Sequence, residues 1–429
     1  MRKIVLTTVG TLGDLHPFIA IGLALRSRGF APVLAVPADQ VDVCVRAGLQ
    51  AVAVRAGFDA IARRMGLSHD AAVRRIMGDQ RIMLEQVLLP DLPANITALE
   101  AVAAGAEAIV ASIFVFAAPI VAEKRALPLV SVILQPMAML SAYDPPHTAD
   151  FWMMRGAPVG RVAAGWNRFA YGMIRRVLDR LYGKRIDRVR AEQGLAPAGA
   201  GHLLDPPETA LLRLGCYSPH LGALPRDAAA TTRIVGFPMF DGASGDGDAL
   251  DPAIAAFLAD GPPPLVFTLG TFAVDSAGAF YDKASMVAHA LGMRAILLVG
   301  GKAAPSRDGD ILRCGYAQHS LLFPHVAAII HHGGVGTTGQ ALRAGKPQLV
   351  VPHMGDQHDH ADRVVRMGVG LRVRPRHFTV ARATRRIAAL LEEPCFAATA
   401  TRIAKAMAEE HGADAAAAAI TDALDTVRS

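Results

Sequence analysis

The sequence predicts an α/β protein built from two doubly wound parallel-sheet domains. Its 429 residues exceed what one hydrophobic core usually holds. Short apolar runs, which are typical of buried parallel strands, alternate with helical segments along both halves of the chain. A strand and a glycine turn open each half, with strands at residues 3–9 and 265–269 followed by Gly10 and Gly270. We therefore expect one domain over residues 1–241 and a second over residues 265–405.

The composition favours a soluble, cytoplasmic protein. The four cysteines lie far apart and form no pair motif, which favours a reducing compartment over a disulfide framework. The longest apolar stretch, residues 108–122, is shorter than the ~20 residues of a membrane span and contains Pro119. The apolar run near the N terminus is about six residues long and lacks a cleavage site, so it is interpreted as a strand rather than a signal peptide.

The first domain should contain six strands after the opening one. They are predicted at residues 32–36, 50–54, 108–113, 129–135, 211–214 and 233–235. Helices are expected from the opening turn to about Gly29, over residues 116–125, and between about residues 159 and 194. Because ligands of such sheets collect at the carboxyl ends of strands, residues 10–14, 112–116 and 135–139 should surround one mouth.

The opening turn, residues 9–18, reads VGTLGDLHPF. Its second glycine follows the first by three residues, so it does not match the dinucleotide motif G-x-G-x-x-G, and NAD binding gains little support. Asp14 stands just ahead of a predicted helix, where an acid commonly serves as an N-cap by accepting from backbone N–H groups.

Methionines and aromatic residues are concentrated in an irregular segment that follows the strand at 129–135. Such residues suit a pliable apolar pocket for a hydrophobic acceptor. The alternative for any one of them is packing beneath a long loop. The candidate acceptor-binding residues are Met137, Met139, Phe151 and Trp152.

Positive charge is concentrated between Arg155 and Arg190. This window holds ten Lys or Arg against two acids, Asp179 and Asp187, whereas the whole chain has a net charge of +6. Its aromatic residues follow helical spacing and match no RNA-binding signature, which argues against nucleic acid. A basic amphipathic surface beside an anionic acceptor, or a peripheral contact with the inner face of a membrane, fits the pattern.

Residues 242–264 are rich in Gly, Asp and Pro, which is typical of an interdomain linker with one short helix. Strands are then predicted at residues 265–269, 294–299, 326–330 and 348–351. A helix capped by Thr337 or Thr338 should run to Gly345, and further helices should cover residues 379–393 and much of 398–427.

The stretch 326–362 contains a strand, a glycine turn and a helix, followed by a second strand. A helix that begins on a glycine turn directs unpaired N–H groups and a partial positive charge forward, so a phosphate is the expected ligand. His331 and His332 can donate to its oxygens, and Asp356 and Gln357 suit a pair of sugar hydroxyls. A metal site is the alternative for this histidine- and aspartate-rich stretch, but no HExxH or CxxC spacing supports it.

This stretch resembles the donor-binding box of nucleotide-sugar glycosyltransferases of the GT-B fold, in particular the microbial branch of family 1. That branch includes sterol glucosyltransferases, antibiotic glycosyltransferases and rhamnolipid rhamnosyltransferases. The fold implied is two Rossmann-like domains facing across a cleft. The resemblance implies that the donor diphosphate is bound by His332, Gly334, Gly336, Thr337 and Thr271. It also implies that Gln318 binds the base and Gln340 the ribose. The transferred sugar is implied to contact Asp356 and Gln357.

The opening turn resembles the G-[ST]-x-G-D-x-x-P-F segment of the same microbial enzymes. By this match Asp14 is the candidate general base, and Gly13 allows donor and acceptor to approach; whether His16 assists stays open. Residues 236–241, GFPMFD, resemble the rhamnosyltransferase group. By analogy with GT-B enzymes, a C-terminal helix over residues 406–429 should pack back on the first domain.

The resemblance implies an inverting, metal-independent transfer of a sugar from a UDP- or TDP-sugar to a hydroxyl of a hydrophobic small molecule or lipid. The nucleotide sugar is a co-substrate, and no other cofactor is implied. Two alternatives share the donor box: a non-transferring enzyme such as a sugar-nucleotide epimerase, and a catalytically silent nucleotide-sugar-binding partner. The sequence does not address oligomeric state.

Overall fold

The computed structural model describes residues 2–79, 81–156, 159–240, 249–270, 274, 277–301 and 303–428. The chain divides into two compact units. The first comprises residues 1–240 and 411–429, and the second comprises residues 241–410. Within the described residues, no helix is long and apolar enough to cross a membrane.

The first unit is built on a sheet of seven parallel strands in the order β3-β2-β1-β4-β5-β6-β7. The strands are β1 Arg2–Thr7, β2 Phe30–Pro37, β3 Gln50–Arg55, β4 Ala108–Ser112, β5 Leu129–Ile133, β6 Leu212–Gly215 and β7 Thr232–Ile234. The α-helices are Leu12–Ser27, Val41–Arg46, Phe58–Arg64, His69–Gly78, Arg81–Met83, Leu92–Ala103, Ala117–Lys124, Arg161–Leu178, Lys184–Glu192 and Gly412–Arg428. Short 3₁₀ or π turns cover Ala38–Gln40, Leu84–Leu88, Pro136–Met139, Ala149–Phe151, Asp179–Gly183 and Gly201–Leu203.

Both faces of this sheet are covered, as alternation along β1 shows. Ile4 and Leu6 belong to one core cluster and Val5 to another. The helix Gly412–Arg428 contributes Ile420 and Leu424 to the first of these clusters. Strands buried on both faces read as continuous apolar runs, which is why β4 and β5 are recognisable in the sequence.

The second unit also has a seven-stranded sheet, in the order β10-β11-β9-β8-β12-β13-β14. All its pairings are parallel except the β10–β11 pair. The strands are β8 Leu265–Thr268, β9 Ala295–Leu298, β10 Ser306–Asp308, β11 Ile311–Cys314, β12 Ala328–His331, β13 Gln348–Val350 and β14 Gly370–Arg372. The described α-helices are Pro252–Ala259, Phe280–Leu291, His319–Leu322, Val335–Arg343, Gln357–Arg366, Val380–Glu392 and Pro394–Met407, with 3₁₀ turns at Phe323–His325 and Pro375–His377.

The helix Pro252–Ala259 lies within the stretch that the sequence marks as a linker. Its Ile254 and Phe257 are buried in the core of the second unit, together with Val266 of β8 and Ile296 of β9. Asp251 caps this helix by accepting from the Ala253 N–H at 2.8 Å. The helix is therefore a packed part of the second unit.

Strand order reverses at one place in each sheet. In the first unit the chain runs outward from β1 on one side and from β4 on the other, and in the second unit from β8 and β12. Ligands of doubly wound sheets bind at the carboxyl ends of the strands beside such a switch point. The two glycine-rich turns of the sequence, after β1 and after β12, lie at these positions.

Candidate functional site

The turn after β1 places Asp14 in the first turn of the helix Leu12–Ser27. Thr11 is the N-cap, and its Oγ1 accepts from the Gly13 N–H at 3.3 Å. The Asp14 Oδ2 accepts from the Thr11 N–H at 2.8 Å, so Thr11 and Asp14 form a capping box. The expectation that Asp14 is itself the N-cap is wrong, because the helix begins at Leu12 and Asp14 is the third residue within it.

Gly10 allows the Asp14 carboxylate to lie directly against the backbone of the turn. Its φ of +126° lies in the range that favours glycine. A Cβ at this position would overlap Oδ2 of Asp14. The Gln40 Nε2 donates to the Gly10 carbonyl at 2.7 Å and fixes the turn from the other side. The capping box and the glycine turn therefore hold the Asp14 carboxylate at the carboxyl end of β1.

His16 follows two residues later and is largely buried. Burial lowers its pKa to about 4, so the imidazole is neutral near pH 7. Its ring meets that of Phe240 edge-on, with the centroids 5.6 Å apart. Its Nε2 is buried without a hydrogen-bond partner among the described residues.

The second glycine turn follows β12 and separates two adjacent histidines. His331 points into the core: its Nε2 lies 2.9 Å from Gln348 Oε1, and its Nδ1 accepts from the Gly333 N–H at 3.1 Å. Burial lowers its pKa to about 4. His331 therefore braces the turn and is not placed to bind a phosphate, contrary to what the sequence suggested.

His332 lies between two glycines of the same edge of the sheet. A Cβ at Gly270, after β8, or at Gly334 would overlap its ring. Burial lowers its pKa well below the ordinary value, so the ring is neutral near pH 7. Its Nδ1 is buried without a hydrogen-bond partner among the described residues. A neutral imidazole with one N–H is a suitable donor to a phosphate oxygen.

The helix Val335–Arg343 begins immediately after this histidine. Gly334 is its N-cap, with φ of −59° and ψ of 145°, and no side chain caps it. The predicted caps, Thr337 and Thr338, lie inside the helix instead, and the Thr338 hydroxyl donates to the Gly334 carbonyl at 2.9 Å. The first-turn N–H groups are thus not satisfied by a capping side chain, which is the arrangement that binds anions at helix N-termini.

The other candidate donor-binding residues of this helix lie in its first two turns. Thr337 and Gln340 are buried, and Gly336 is half-buried. Their position within the first two turns keeps them near the uncapped end. Because Gly334 rather than Thr337 or Thr338 is the N-cap, all three residues lie three or four positions, about one turn, deeper in the helix than the sequence predicted.

Asp356 and Gln357 open the helix Gln357–Arg366 after β13. The Gln357 Oε1 accepts from the N–H groups of His353 at 2.8 Å and of Met354 at 3.2 Å, so its side-chain carbonyl holds the loop that precedes it. Burial raises the pKa of Asp356, and the nearby His360 opposes that rise.

His360 is a site residue whose role sequence reasoning missed. It is fully buried, and its Nδ1 lies 2.8 Å from the Gly333 carbonyl and 3.7 Å from Asp356 Oδ2. It therefore links the glycine turn to the start of the next helix. Its four-residue spacing from Asp356 on a helix was the available signal.

Other predicted positions are more scattered. Gln318 is half-buried and precedes the helix His319–Leu322, and Thr271 lies outside the described residues. Met139 packs near Gly215 of β6, Met137 and Phe151 are half-buried, and Trp152 is 79% exposed. None of these four lines the pocket found in the first unit.

That pocket opens at the carboxyl ends of β1, β3 and β4. Its apolar wall includes Leu92, Leu99, Phe114 and Phe116, and its polar lining includes Thr8, Arg55 and Asn95. The sequence placed residues 112–116 at this mouth but did not indicate Arg55. Among the described residues, no group of three or more His, Cys, Asp or Glu is placed to hold a metal ion.

The chain is similar to known proteins over nearly its whole length. Residues 309–422 match the family model for the erythromycin biosynthesis protein CIII-like C-terminal domain. The chain is 29% identical over 452 residues to an O-mycaminosyltylonolide 6-deoxyallosyltransferase of Streptomyces fradiae, covering 99% of this chain and 98% of that protein.

Two solved structures share its architecture. A spinosyn forosaminyltransferase matches with a TM-score of 0.72 and 18% identity, over 99% of both chains. A spinosyn rhamnosyltransferase complexed with thymidine diphosphate matches with a TM-score of 0.66 and 17% identity, over 100% of both chains. The GT-B fold predicted from the sequence is thereby confirmed.

Proposed function

We propose that this chain, which belongs to the microbial antibiotic branch of the family 1 glycosyltransferases, transfers a deoxyhexose or hexose from TDP-sugar to a hydroxyl of an apolar acceptor with inversion. It is a glycosyltransferase of the secondary-metabolite type that uses nucleotide sugars. The observation that carries the finer proposal is the uncapped start of the helix Val335–Arg343 beside the neutral His332.

The donor diphosphate is assigned to this helix start. The N–H groups after Gly334 and the N–H of His332 neutralise negative charge on the departing diphosphate, and Thr337 lies in the same turn. TDP is favoured because a rhamnosyltransferase of the same fold is complexed with thymidine diphosphate. Since these donors are supplied by the protein, we expect transfer to continue at full rate in EDTA, measured by TDP release.

The remaining donor contacts are assigned from the same resemblance. Gln340 is assigned to bind the ribose, Gln318 the base, and Thr271 the phosphates. Asp356 and Gln357 are assigned to bind the sugar hydroxyls. Gly13 and Gly336 have no side chain and would allow the donor to approach the backbone closely. Because the Gln357 carbonyl already accepts two backbone N–H groups, its amide NH₂ is the group assigned to the sugar.

Asp14 is assigned as the general base. It takes the proton of the acceptor hydroxyl as the new C–O bond forms at the anomeric carbon and the bond to the diphosphate oxygen breaks. A single base with no covalent nucleophile gives inversion. The capping box and Gly10 hold the carboxylate in one place before substrate arrives. The acceptor itself is assigned to the first unit, with Met137, Met139, Phe151 and Trp152 as candidate apolar contacts.

The variant Asp14→Asn tests this assignment. The amide oxygen can still accept from the Thr11 N–H, so the cap is kept while the base is lost. We expect transfer to fall by about 10²- to 10⁴-fold, with TDP affinity unchanged in calorimetry.

Thr11→Ala is the matched control. It removes the cap at a cost of about 1 kcal/mol in stability but leaves the carboxylate. Transfer that falls equally in both variants would reduce Asp14 to a capping residue. TDP binding without turnover on any acceptor in the wild type would favour the silent or epimerising alternatives.

A membrane contact is proposed for the basic segment of the first unit. On the helix Arg161–Leu178, an apolar stripe of Val162, Trp166, Phe169, Met173 and Val177 spans an arc of about 80° at 3.6 residues per turn. All five are exposed, Val162 to 91% and Phe169 to 54%. Contiguous exposed apolar residues of this size mark an interaction surface.

The charges beside the apolar stripe favour an anionic lipid surface. Asp179 accepts from the Ala200 N–H, and Asp187 accepts from the N–H groups of Ala198 and Gly199, so both acids bind the neighbouring loop. Arginines of the segment, such as Arg176 and Arg180, are exposed. An apolar stripe with Trp and Phe beside arginines is typical of helices that lie in a membrane interface.

Sedimentation with vesicles tests this contact. The wild type should bind vesicles of phosphatidylcholine with 30% phosphatidylglycerol, and less so in high salt, whereas Phe169→Ser should not bind. Binding to neither anionic nor neutral vesicles would refute the contact. A dimer in light scattering that Phe169→Ser dissociates would assign the stripe to a second copy instead.

A further inference from the structure

A buried histidine joins two elements of the proposed donor site. His360 is the fourth residue of the helix Gln357–Arg366 and is fully buried. Its Nδ1 lies 2.8 Å from the Gly333 carbonyl oxygen. Because a carbonyl oxygen can only accept, Nδ1 carries a proton and donates it to this bond. The histidine therefore reaches from the helix after β13 to the glycine turn after β12.

Asp356 is the other acceptor near this N–H group. Its Oδ2 lies 3.7 Å from the His360 Nδ1, which is beyond hydrogen-bonding distance. The His360 Nε2 is buried and makes no hydrogen bond to a described residue. The imidazole is thus committed to the glycine turn, and the half-buried Asp356 carboxylate stays available to a ligand.

The bond to the Gly333 carbonyl fixes the orientation of a peptide plane. A trans peptide is planar, so the Gly334 N–H points opposite to the Gly333 carbonyl. Gly334 is the N-cap of the helix Val335–Arg343, and no side chain caps that helix. Gly333 has a φ of +94°, and a Cβ there would lie 3.0 Å from the Gln357 carbonyl oxygen. A glycine pair has no side chain to hold this plane, so the histidine of the neighbouring helix holds it.

Building on the proposed function, we infer that His360 is a positioning residue for the donor diphosphate. Its Nδ1–H holds the Gly333–Gly334 peptide so that the Gly334 N–H faces the diphosphate together with the first N–H groups of the helix. A donor that is held in place beforehand needs no reorganisation when the ligand binds. Without His360 the peptide can rotate, because glycine adopts many backbone conformations. The imidazole itself touches no substrate and acts through the backbone.

Two amide variants test this role by calorimetric titration of the full chain with TDP. Asparagine places its amide nitrogen near the position of the histidine Nδ1, whereas glutamine places it near that of Nε2. His360→Asn should bind TDP within about twofold of the wild-type affinity, and His360→Gln about tenfold more weakly. Wild-type affinity in His360→Gln, or an equal loss in both variants, would overturn the inference.

Val364→Ala is the control for a general loosening of the same helix. Val364 is fully buried and lies against Gly370 of β14, away from the glycine turn. This variant should melt at a lower temperature and bind TDP with the wild-type affinity. If it weakens TDP binding as much as His360→Gln does, the effect belongs to helix packing and the positioning role is refuted.

The wild type supplies a second measurement that does not depend on the folding of a variant. Nitrogen NMR of protein with labelled histidine, with the His360 signal assigned by its loss in His360→Asn, should show the proton on Nδ1. A proton on Nε2 alone would overturn the inference, because Nδ1 could then not donate to Gly333. A wild type that binds no TDP would overturn the proposed function as well, whereas TDP binding that is insensitive to His360→Gln would overturn this inference alone.

Discussion

At the scale of single residues, the contact between Gly10 and Asp14 is the one most open to test. We expect Gly10→Ala to displace the Asp14 carboxylate, because the added Cβ would overlap Oδ2. A displacement of about 1 Å in a catalytic group costs on the order of 100-fold in rate. Initial rates of transfer should fall by about that factor, while TDP affinity, measured by calorimetry, stays at the wild-type value.

Gly29→Ala is the matched control, because it introduces backbone strain at a positive φ without touching the Asp14 carboxylate. Gly29 also has a positive φ, of +85°, but a Cβ there would meet nothing within 4 Å. It should cost about 1–2 kcal/mol in stability and leave transfer unchanged. Equal activity of the two variants would mean that the Asp14 position is not set by Gly10.

Single residues also show where the sequence stops being informative. The three-residue spacing of Thr11 and Asp14 is typical of a capping box, but the motif match led only to a catalytic interpretation of Asp14 and not to Thr11 as the N-cap. Of the adjacent His331 and His332, only the second is available to a ligand, because successive side chains at the end of a strand point to opposite sides. Which of the two points inward depends on register, and register is set by β8 and β13 pairing with β12.

At the scale of elements, the start of the helix Val335–Arg343 carries the donor assignment. Gly334 has a φ of −59°, which alanine adopts without strain, but a Cβ there would overlap the His332 ring. Gly334→Ala should therefore move His332 away from the helix start and weaken TDP binding by about tenfold, a change of about 1.4 kcal/mol. Calorimetric titration with TDP measures it.

Gly368→Ala is the control in the same unit. Its φ is +71° and nothing lies within 4 Å of the added Cβ, so it should lower stability by about 1–2 kcal/mol without altering TDP affinity. Wild-type TDP affinity in Gly334→Ala would contradict the assignment of the diphosphate to this helix start.

Element prediction succeeded where burial leaves a pattern in the sequence. The continuous apolar runs of β4, β5, β8 and β9 were located to within about two residues because both faces of these strands are covered. The three-residue strand β10 is exposed throughout and pairs only with β11, so no apolar run marks it. The start of the helix after Gly334 was misplaced because a threonine is the commoner cap, whereas here the backbone of the glycine turn begins the helix.

At the scale of the whole molecule, buried neutral histidines couple both units to pH. His16 in the first unit and His331 and His353 in the second have pKa values of about 4, lowered by burial from 6.5. Unfolding restores ordinary values, so between pH 6.5 and 4 the unfolded chain binds more protons than the folded one. Stability is therefore lost as pH falls through this window and is independent of these groups above it.

Burial also lowers the pKa values of His202 in the first unit and His332 in the second, so the second unit holds three of these five histidines. Each such histidine contributes up to ~1.4 kcal/mol per pH unit to this loss. TDP raises the melting temperature of the unit that binds it, so the transition that shifts with TDP identifies the second unit. Between pH 6.5 and 5 we expect the melting temperature of this transition to fall more steeply than that of the other transition. Calorimetric scans at pH 8, 6.5 and 5 measure both melting temperatures.

His16→Gln should reduce the pH dependence of the melting temperature only for the transition that TDP does not shift. The control variant His325→Gln, at an exposed histidine, should change the pH dependence of neither transition. Equal stability at pH 5 and pH 8 would show that these rings take up protons without unfolding, and neutrality of the donor-site histidines would then no longer follow from their burial.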